Sequence, residues 1–238
     1  MLKLDDKYKV DIKLPMKDFI PKELKPAVKK KIKDNVKSCT LSYQIIGEEI
    51  PSVINDEYNV WTIQFYDLEL VDIKKATFLA NMYQTIIKSP CVLRLHDNSK
   101  EVYSFALKRL SQTDNTQIVV TDTLVTSDFY TTITSTDKKE LENHLALDNL
   151  IGKQNKVTTY LEMYVKAYIL TNSKVYANSK EFLMRKDIWY SESKVRKLYA
   201  NLRGLELLKL SLVKASGNIE KVKLNKKIKN HISCLEEC

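Results

Sequence analysis

The chain has 238 residues, of which 44% are hydrophobic and 29% charged, and a formal net charge of +9. That balance is ordinary for a globular protein and too apolar for global disorder, and the length suits one large domain or two small ones. No apolar run is long enough to span a bilayer, and Lys3, Asp5, Asp6 and Lys7 precede any apolar stretch. Neither a membrane span nor a secretory leader is therefore expected, and the cytoplasm is the expected compartment.

In chain order, residues 11–20 read as a lead-in that packs Leu14, Phe19 and Ile20 on a core. Pro21 and Pro26 frame the start of a Lys-rich helix, about 22–35, with Leu24, Val28, Ile32 and Val36 at four-residue spacing. Residues 39–46 form a first strand, and residues 47–59 form a polar loop. The stretch from Val60 to Val125 is the centre of the fold. Trp61, Ile63 and Phe65 alternate as in a half-buried strand. Asp72 stands at an N-cap position before a helix whose stripe is Ile73, Ala76, Leu79, Met82, Tyr83, Ile86 and Ile87, stopped by Pro90. Cys91–Leu95, a turn at Asp97-Asn98-Ser99, Val102–Leu107 and Ile118–Val125 supply three more strands.

From the Thr/Ser-rich passage 128–136 onward the pattern is helical. Asp137-x-x-Glu140 resembles a capping box, with Gly152 as a stop for the helix it opens. Residues 157–170 form the next helix, and Asn178-x-x-Glu181 caps a short one. Ser191 opens a longer helix with Val195, Leu198, Tyr199, Leu202, Leu205, Leu208 and Leu212 on one broad apolar stripe. The last helix, 219–237, carries Val222, Asn225, Ile228, Ile232 and Leu235 on a narrow seam like that of a short coiled coil. That seam is a candidate partner or oligomer surface, and a terminal helix packed on its own domain is the plainer alternative. The expected fold is α+β: a mixed sheet with a packed helix (β-β-α-β-β-β), residues about 1–130, followed by a basic, all-helical region, about 137–238.

Enzyme signatures are sparse. The four glycines are too dispersed for a phosphate loop, and no nucleophile elbow surrounds a serine. His96, His144 and His231 lie in three separate elements. Cys39 and Cys91 read as small core residues, whereas Cys234 and Cys238, with only His231 near, fall short of a zinc ligand set. No metal or cofactor is expected. Asp97, Glu101 and Lys108 are a candidate Mg²⁺-nuclease trio on the hairpin, without the close spacing such sites use. Charge is uneven: the first 37 residues are Lys-rich, the centre is acidic and the helical end is basic. Lys194, Arg196, Lys197 and Arg203 are candidate phosphate contacts. A basic face that is simply solvated is the competing reading.

The chain resembles, over nearly its whole length, the bacterial family catalogued as domain of unknown function 4391. Leu14-Pro15-Met16-Lys17-Asp18-Phe19 is similar to that family's Pro-Lys-x-x-Phe opening. Residues 39–70 and the helix running into Pro90-Cys91-Val92-Leu93 look like its core, and residues 219–228 resemble its Lys-Val-Glu-Leu-Asn-x-x-Ile tail. The family's doubled Ile-Pro-x-Pro is reduced here to Lys88-Ser89-Pro90, and residues 171–194 depart most. The resemblance implies no established activity and transfers no residue's role. It implies an accessory protein of restriction or phage-defence systems, with a helicase, ATPase or methyltransferase-type partner. The expected function is therefore a non-enzymatic accessory subunit that binds a partner protein and nucleic-acid phosphates. The alternatives are a divergent nuclease and a structural oligomerisation protein.

Overall fold

Alternating apolar residues build a seven-stranded mixed sheet in the computed structural model, which describes residues 2–22, 24–114 and 116–237. The chain divides into two units, Met1–Ala167 and Tyr168–Cys238.

The first unit opens with β1 (Lys9–Lys13), where Asp11 takes a positive φ of 46° at an irregularity in the pairing. A single turn, α1 (Met16–Phe19), follows. The Lys-rich helix α2 (Pro26–Asn35) begins with Pro26 in its first turn, where the missing N–H has no helical partner to lose. It runs directly into β2 (Val36–Ile45), so Val36, expected on the helix, is the first strand residue. The loop before the central strand contains a small hairpin, β3 (Val53–Ile54) and β4 (Asn59–Val60). Then come β5 (Ile63–Leu70), α3 (Ala76–Ile86), β6 (Cys91–His96), β7 (Lys100–Leu110), β8 (Ile118–Val125) and the short β9 (Phe129–Tyr130). The order is β1-β2-β5-β6-β7-β8, with β9 also paired to β7. Among the described residues only β5 and β6 pair in parallel, because α3 carries the chain back across the sheet between them. The expected mixed α+β core is the observed one, extended by β1 and β9.

Helix α3 covers one face. Leu79, Ala80 and Tyr83 meet Leu68, Leu70, Leu93, Leu95 and Val102 in a buried cluster. The register of β6 with β7 stops at Leu93 opposite Ser104. Beyond it, buried side chains replace ladder bonds: the Tyr160 hydroxyl accepts from Ala106 N (3.0 Å) and donates to the Cys91 carbonyl (2.7 Å). Gln84 Nε2 donates to the carbonyls of Ser104 (3.1 Å) and Cys91 (3.3 Å). Backbone groups that would otherwise be buried and unpaired are thus satisfied.

Helix α4 (Thr136–Leu145) is capped by Ser135, whose hydroxyl accepts from Lys138 N at 3.2 Å. The capping box expected at Asp137 is displaced because the hydroxyl two residues earlier reaches the free N–H groups. Gly152 does not end this helix. It lies in the loop before α5 (Lys156–Thr171), where Glu162 accepts from the backbone N–H groups of Ile151 and Gly152 and pairs with Lys166 at 2.6 Å. Lys156 is wholly buried with its ammonium on the carbonyls of Gly47 (2.9 Å) and Ile50 (2.5 Å), and burial pushes its pKa down. The unit division falls inside α5, further along than the change of period at residues 128–136.

In the second unit, residues Ser179–Met184 form a 3-10 turn that Asn178 does not cap through its side chain. A short α6 (Lys186–Trp189) precedes α7 (Glu192–Lys214), which Ser191 caps as expected, and α8 (Asn218–Glu236). Helix α8 runs back along α7. Gly204 makes this close approach work: a Cβ there would lie 2.6 Å from Cε1 of His231, whose Nδ1 is 3.1 Å from Asn201 Oδ1. Gly204→Ala should cost about 1–3 kcal/mol in overpacking, against about 1 kcal/mol gained in helix propensity. The expected net result is a lower thermal midpoint, recovered when His231→Ala is added. Calorimetry of the two single variants and the double variant measures the coupling.

Candidate functional site

The alternation that sends Leu68, Leu93, Leu95 and Val102 toward α3 sends Asp67, Arg94, His96 and Glu101 to the opposite face. Asp67 lies level with Arg94 across β5 and β6, and His96 lies level with Glu101 across β6 and β7. Arg94 Nε meets Glu101 Oε2 at 2.5 Å and its Nη1 meets Asp67 Oδ1 at 3.1 Å. Lys138 on α4 pairs with the other Glu101 oxygen. His96 Nε2 is 3.4 Å from Asp67 Oδ2. Glu101 is fully buried, while the side chains of Arg94, Asp67 and His96 are 24%, 29% and 20% exposed.

Burial pushes the Asp67 carboxyl up, but His96 and Arg94 outweigh it and hold it below the ordinary carboxylate value. The Asp67 hydrogen bond raises the His96 pKa against burial. His96 is therefore not the isolated histidine expected from its element; the β5–β6 register, invisible in a single strand, brings it to a carboxylate.

The structure does not assemble Asp97, Glu101 and Lys108 into a nuclease site. Asp97 is the turn residue: its carboxylate accepts from Ser99 N, Lys100 N and, in the lead-in to α3, Ile73 N at 3.1 Å. Burial opposes its ionisation, but these donors hold its pKa down at about 2. Glu101 is committed to Arg94 and Lys138. Lys108 lies seven residues along β7, about 23 Å from Glu101 at strand rise. Its ammonium donates to the carbonyls of Ile87 (2.7 Å) and Ser89 (3.0 Å). Among the described residues no group of three or more His, Cys, Asp or Glu is placed to hold a metal ion. Cys39 and Cys91 are buried, as expected of core thiols, and Cys238 lies outside the described residues.

The second unit holds 15 Lys and Arg against 7 Asp and Glu, a net of +8, while the first holds 24 against 23. On α7, three of the four candidate phosphate contacts are paired with acids: Lys194 with Asp187 (3.3 Å), Arg196 with Glu192 (2.7 Å) and Arg203 with Glu206 (2.5 Å). Lys197 is exposed. The stronger basic feature lies on α8, where Lys221, Lys223, Lys226, Lys227 and Lys229 are all exposed. No carboxylate among the described residues forms an ion pair with any of these five.

The expected α8 seam is rotated. Burial falls on Leu224, Ile228, His231, Ile232 and Leu235, with Leu235 1% exposed, whereas Val222 is 68% exposed and Asn225 is also exposed. Asn225 and Val222 thus lie outside the α7–α8 packing. The heptad pattern passed over Leu224, four residues before Ile228, and His231, four before Leu235.

The family model described as Domain of unknown function (DUF4391) matches residues 2–234, and the chain belongs to that family. No curated protein and no solved structure matches the chain significantly. No helix among the described residues is long and apolar enough to cross a membrane.

Glu101→Ala should cost about 3–5 kcal/mol, because it leaves buried cations uncompensated, whereas Asp97→Ala should cost about 1 kcal/mol, the scale of a lost cap. Urea unfolding of the two variants measures this difference. The His96–Asp67 contribution has a definite pH sign. It is complete below the ordinary histidine value of 6.5 and is lost as pH rises through the raised value in the folded protein. Asp67→Asn should lower the His96 midpoint in an NMR titration.

Proposed function

We propose that the protein is a non-enzymatic accessory subunit whose helical unit grips nucleic-acid phosphates. One observation carries the reading: five exposed lysines in nine residues of α8, none of them neutralised by a carboxylate among the described residues. Lysines held by neighbouring acids release few counterions when they meet a phosphate, whereas open lysines each contribute to binding. The phosphate contacts are therefore assigned first to Lys223, Lys226, Lys227 and Lys229, with Lys197 on α7 as an accessory. The predominance of lysine over arginine fits backbone contacts better than base readout.

A protein contact accompanies this reading. On α7, Leu207, Leu210 and Val213 follow one another at three-residue steps and are 49%, 51% and 86% exposed. A phosphate backbone would leave such a stripe in water, whereas a partner protein would cover it. The DNA-processing or defence setting of that partner belongs to the proposal.

Fluorescence anisotropy with a mixed-sequence DNA duplex, titrated between about 50 and 200 mM salt, tests the assignment. Changing Lys223, Lys226, Lys227 and Lys229 together to Gln should weaken binding and reduce the log–log salt slope by about 3–4. The same change at Lys194, Arg196, Lys197 and Arg203 should reduce it by about 1, since three of those cations are already paired. An unchanged slope in the α8 variant would reject the proposal.

A further inference from the structure

Between α3 and the chain that precedes α2 lies a cavity of about 280 Å³. Its walls come from Leu14 and Phe19, from Cys39 and Leu68 on the sheet, and from Tyr83 and Ile87 at the end of α3; Ser89 and Lys88 stand at its edge. Neither the phosphate-binding reading nor the Asp67–Arg94–Glu101 network uses it.

Three features set it apart from ordinary packing space. First, the volume is close to the lower end for small-molecule pockets, about 300 Å³. Second, Tyr83 is 3% exposed and its hydroxyl is buried with no hydrogen-bond partner among the described residues, a costly arrangement for a native core. Third, the wall is braced from behind: Lys108 donates to the carbonyls of Ile87 and Ser89, both of which line the cavity. That is the place in the fold of a lysine the hairpin pattern had suggested for catalysis.

We propose that this cavity binds a small, uncharged, mainly apolar molecule carrying one hydrogen-bond acceptor, which accepts a hydrogen bond from the Tyr83 hydroxyl. The chemistry of the wall selects that class. Burial pushes the Tyr83 phenol up and the Cys39 thiol up to about 12, so both stay protonated and offer donors. No cation lies among the buried wall residues; Lys88, which is exposed, and Asp18 are at the rim. A ligand charge at depth would lack a counter-charge, whereas a carbonyl oxygen would not need one. Gln64 accepts from Tyr66 at 3.0 Å and makes no hydrogen bond to the Tyr83 hydroxyl. Lys108 acts as a positioning residue for the wall.

The test uses the full chain with methyl-labelled Leu and Ile, titrated with acetophenone, with ethylbenzene (which lacks the acceptor) and with benzoate (which is charged). Acetophenone should shift the Leu14, Leu68, Ile86 and Ile87 methyl signals saturably. It should bind about tenfold more tightly than ethylbenzene, the scale of one hydrogen bond. Tyr83→Phe should remove that difference, leave both probes bound and leave the unliganded protein as stable as before or more so. Ser89→Phe, at the edge, should block both without unfolding the chain. The proposal is overturned if no probe gives saturable shifts at those methyls, if benzoate binds most tightly, or if Tyr83→Phe lowers the stability of the unliganded protein. The last result would mean that the hydroxyl already has a structural partner.

Discussion

Glu101 is completely buried in β7, and a carboxylate in that position is tenable only with cations and donors close around it. Arg94 reaches it from β6 and Lys138 from α4, and Arg94 is held in turn by Asp67 on β5. One buried charge therefore links three neighbouring strands and a helix. It also makes strand register an electrostatic matter. A slip of β6 by one residue would turn Arg94 into the apolar layer under α3 and leave Glu101 without its partner. The parallel β5–β6 pair, which depends on a long connection through α3, lies at the centre of this arrangement.

The same network bears on what the sheet face does. Acidic residues on adjacent strands are the raw material of metal-dependent hydrolysis, yet here the acids are already matched. Asp67 is shared between Arg94 and His96, Glu101 lies between Arg94 and Lys138, and Asp97 is tied to backbone N–H groups. Each of these carboxylates has a partner that accounts for its position. The polar face reads as a clasp that joins the sheet to α4.

Much of the architecture was legible from residue patterns, and the failures share a cause. The β5 to β8 strands, α3, the Asp97 turn and the Ser191 cap all follow from local chemistry: alternation, a 3.6-residue stripe, turn formers and a hydroxyl near free N–H groups. What went astray needed a neighbour that the sequence lists elsewhere. His96 looked solitary because Asp67 lies across a strand pair. Lys108 looked catalytic because the Ile87 and Ser89 carbonyls that hold it belong to another connection. The α8 seam was drawn through Val222 and Asn225 because a heptad frame admits them. Only the close fit of His231 against Gly204 shows which side of the helix faces α7. Counting lysines had the same weakness. Lys156 and Lys108 are held by loop carbonyls and the lysines of α8 stand open, and composition cannot separate these uses.

The open lysines come at a cost to the helix that bears them. Lys223 has like charges three and four residues ahead at Lys226 and Lys227, and Lys226 has one at Lys229. Each such pair disfavours the helix by about 0.2–0.5 kcal/mol. The N-cap is Gly217, which provides no side-chain acceptor, and Lys221 lies near the positive end of the helix dipole. Glu236, in the last turn, faces the negative end. Glu220 in the first turn of α8 suits the dipole as Glu192 does on α7; α7 differs in carrying Lys214 in its last turn and acids beside its arginines. The two helices therefore differ at their C-terminal ends and in how far their cations are paired. Helix α7 is held by Val195, Leu198, Leu202 and Leu205 with part of its charge paired, whereas α8 is held by Leu224, Ile228, His231 and Leu235 against unpaired like charges. On the proposed reading, a phosphate backbone laid along α8 would offset those repulsions.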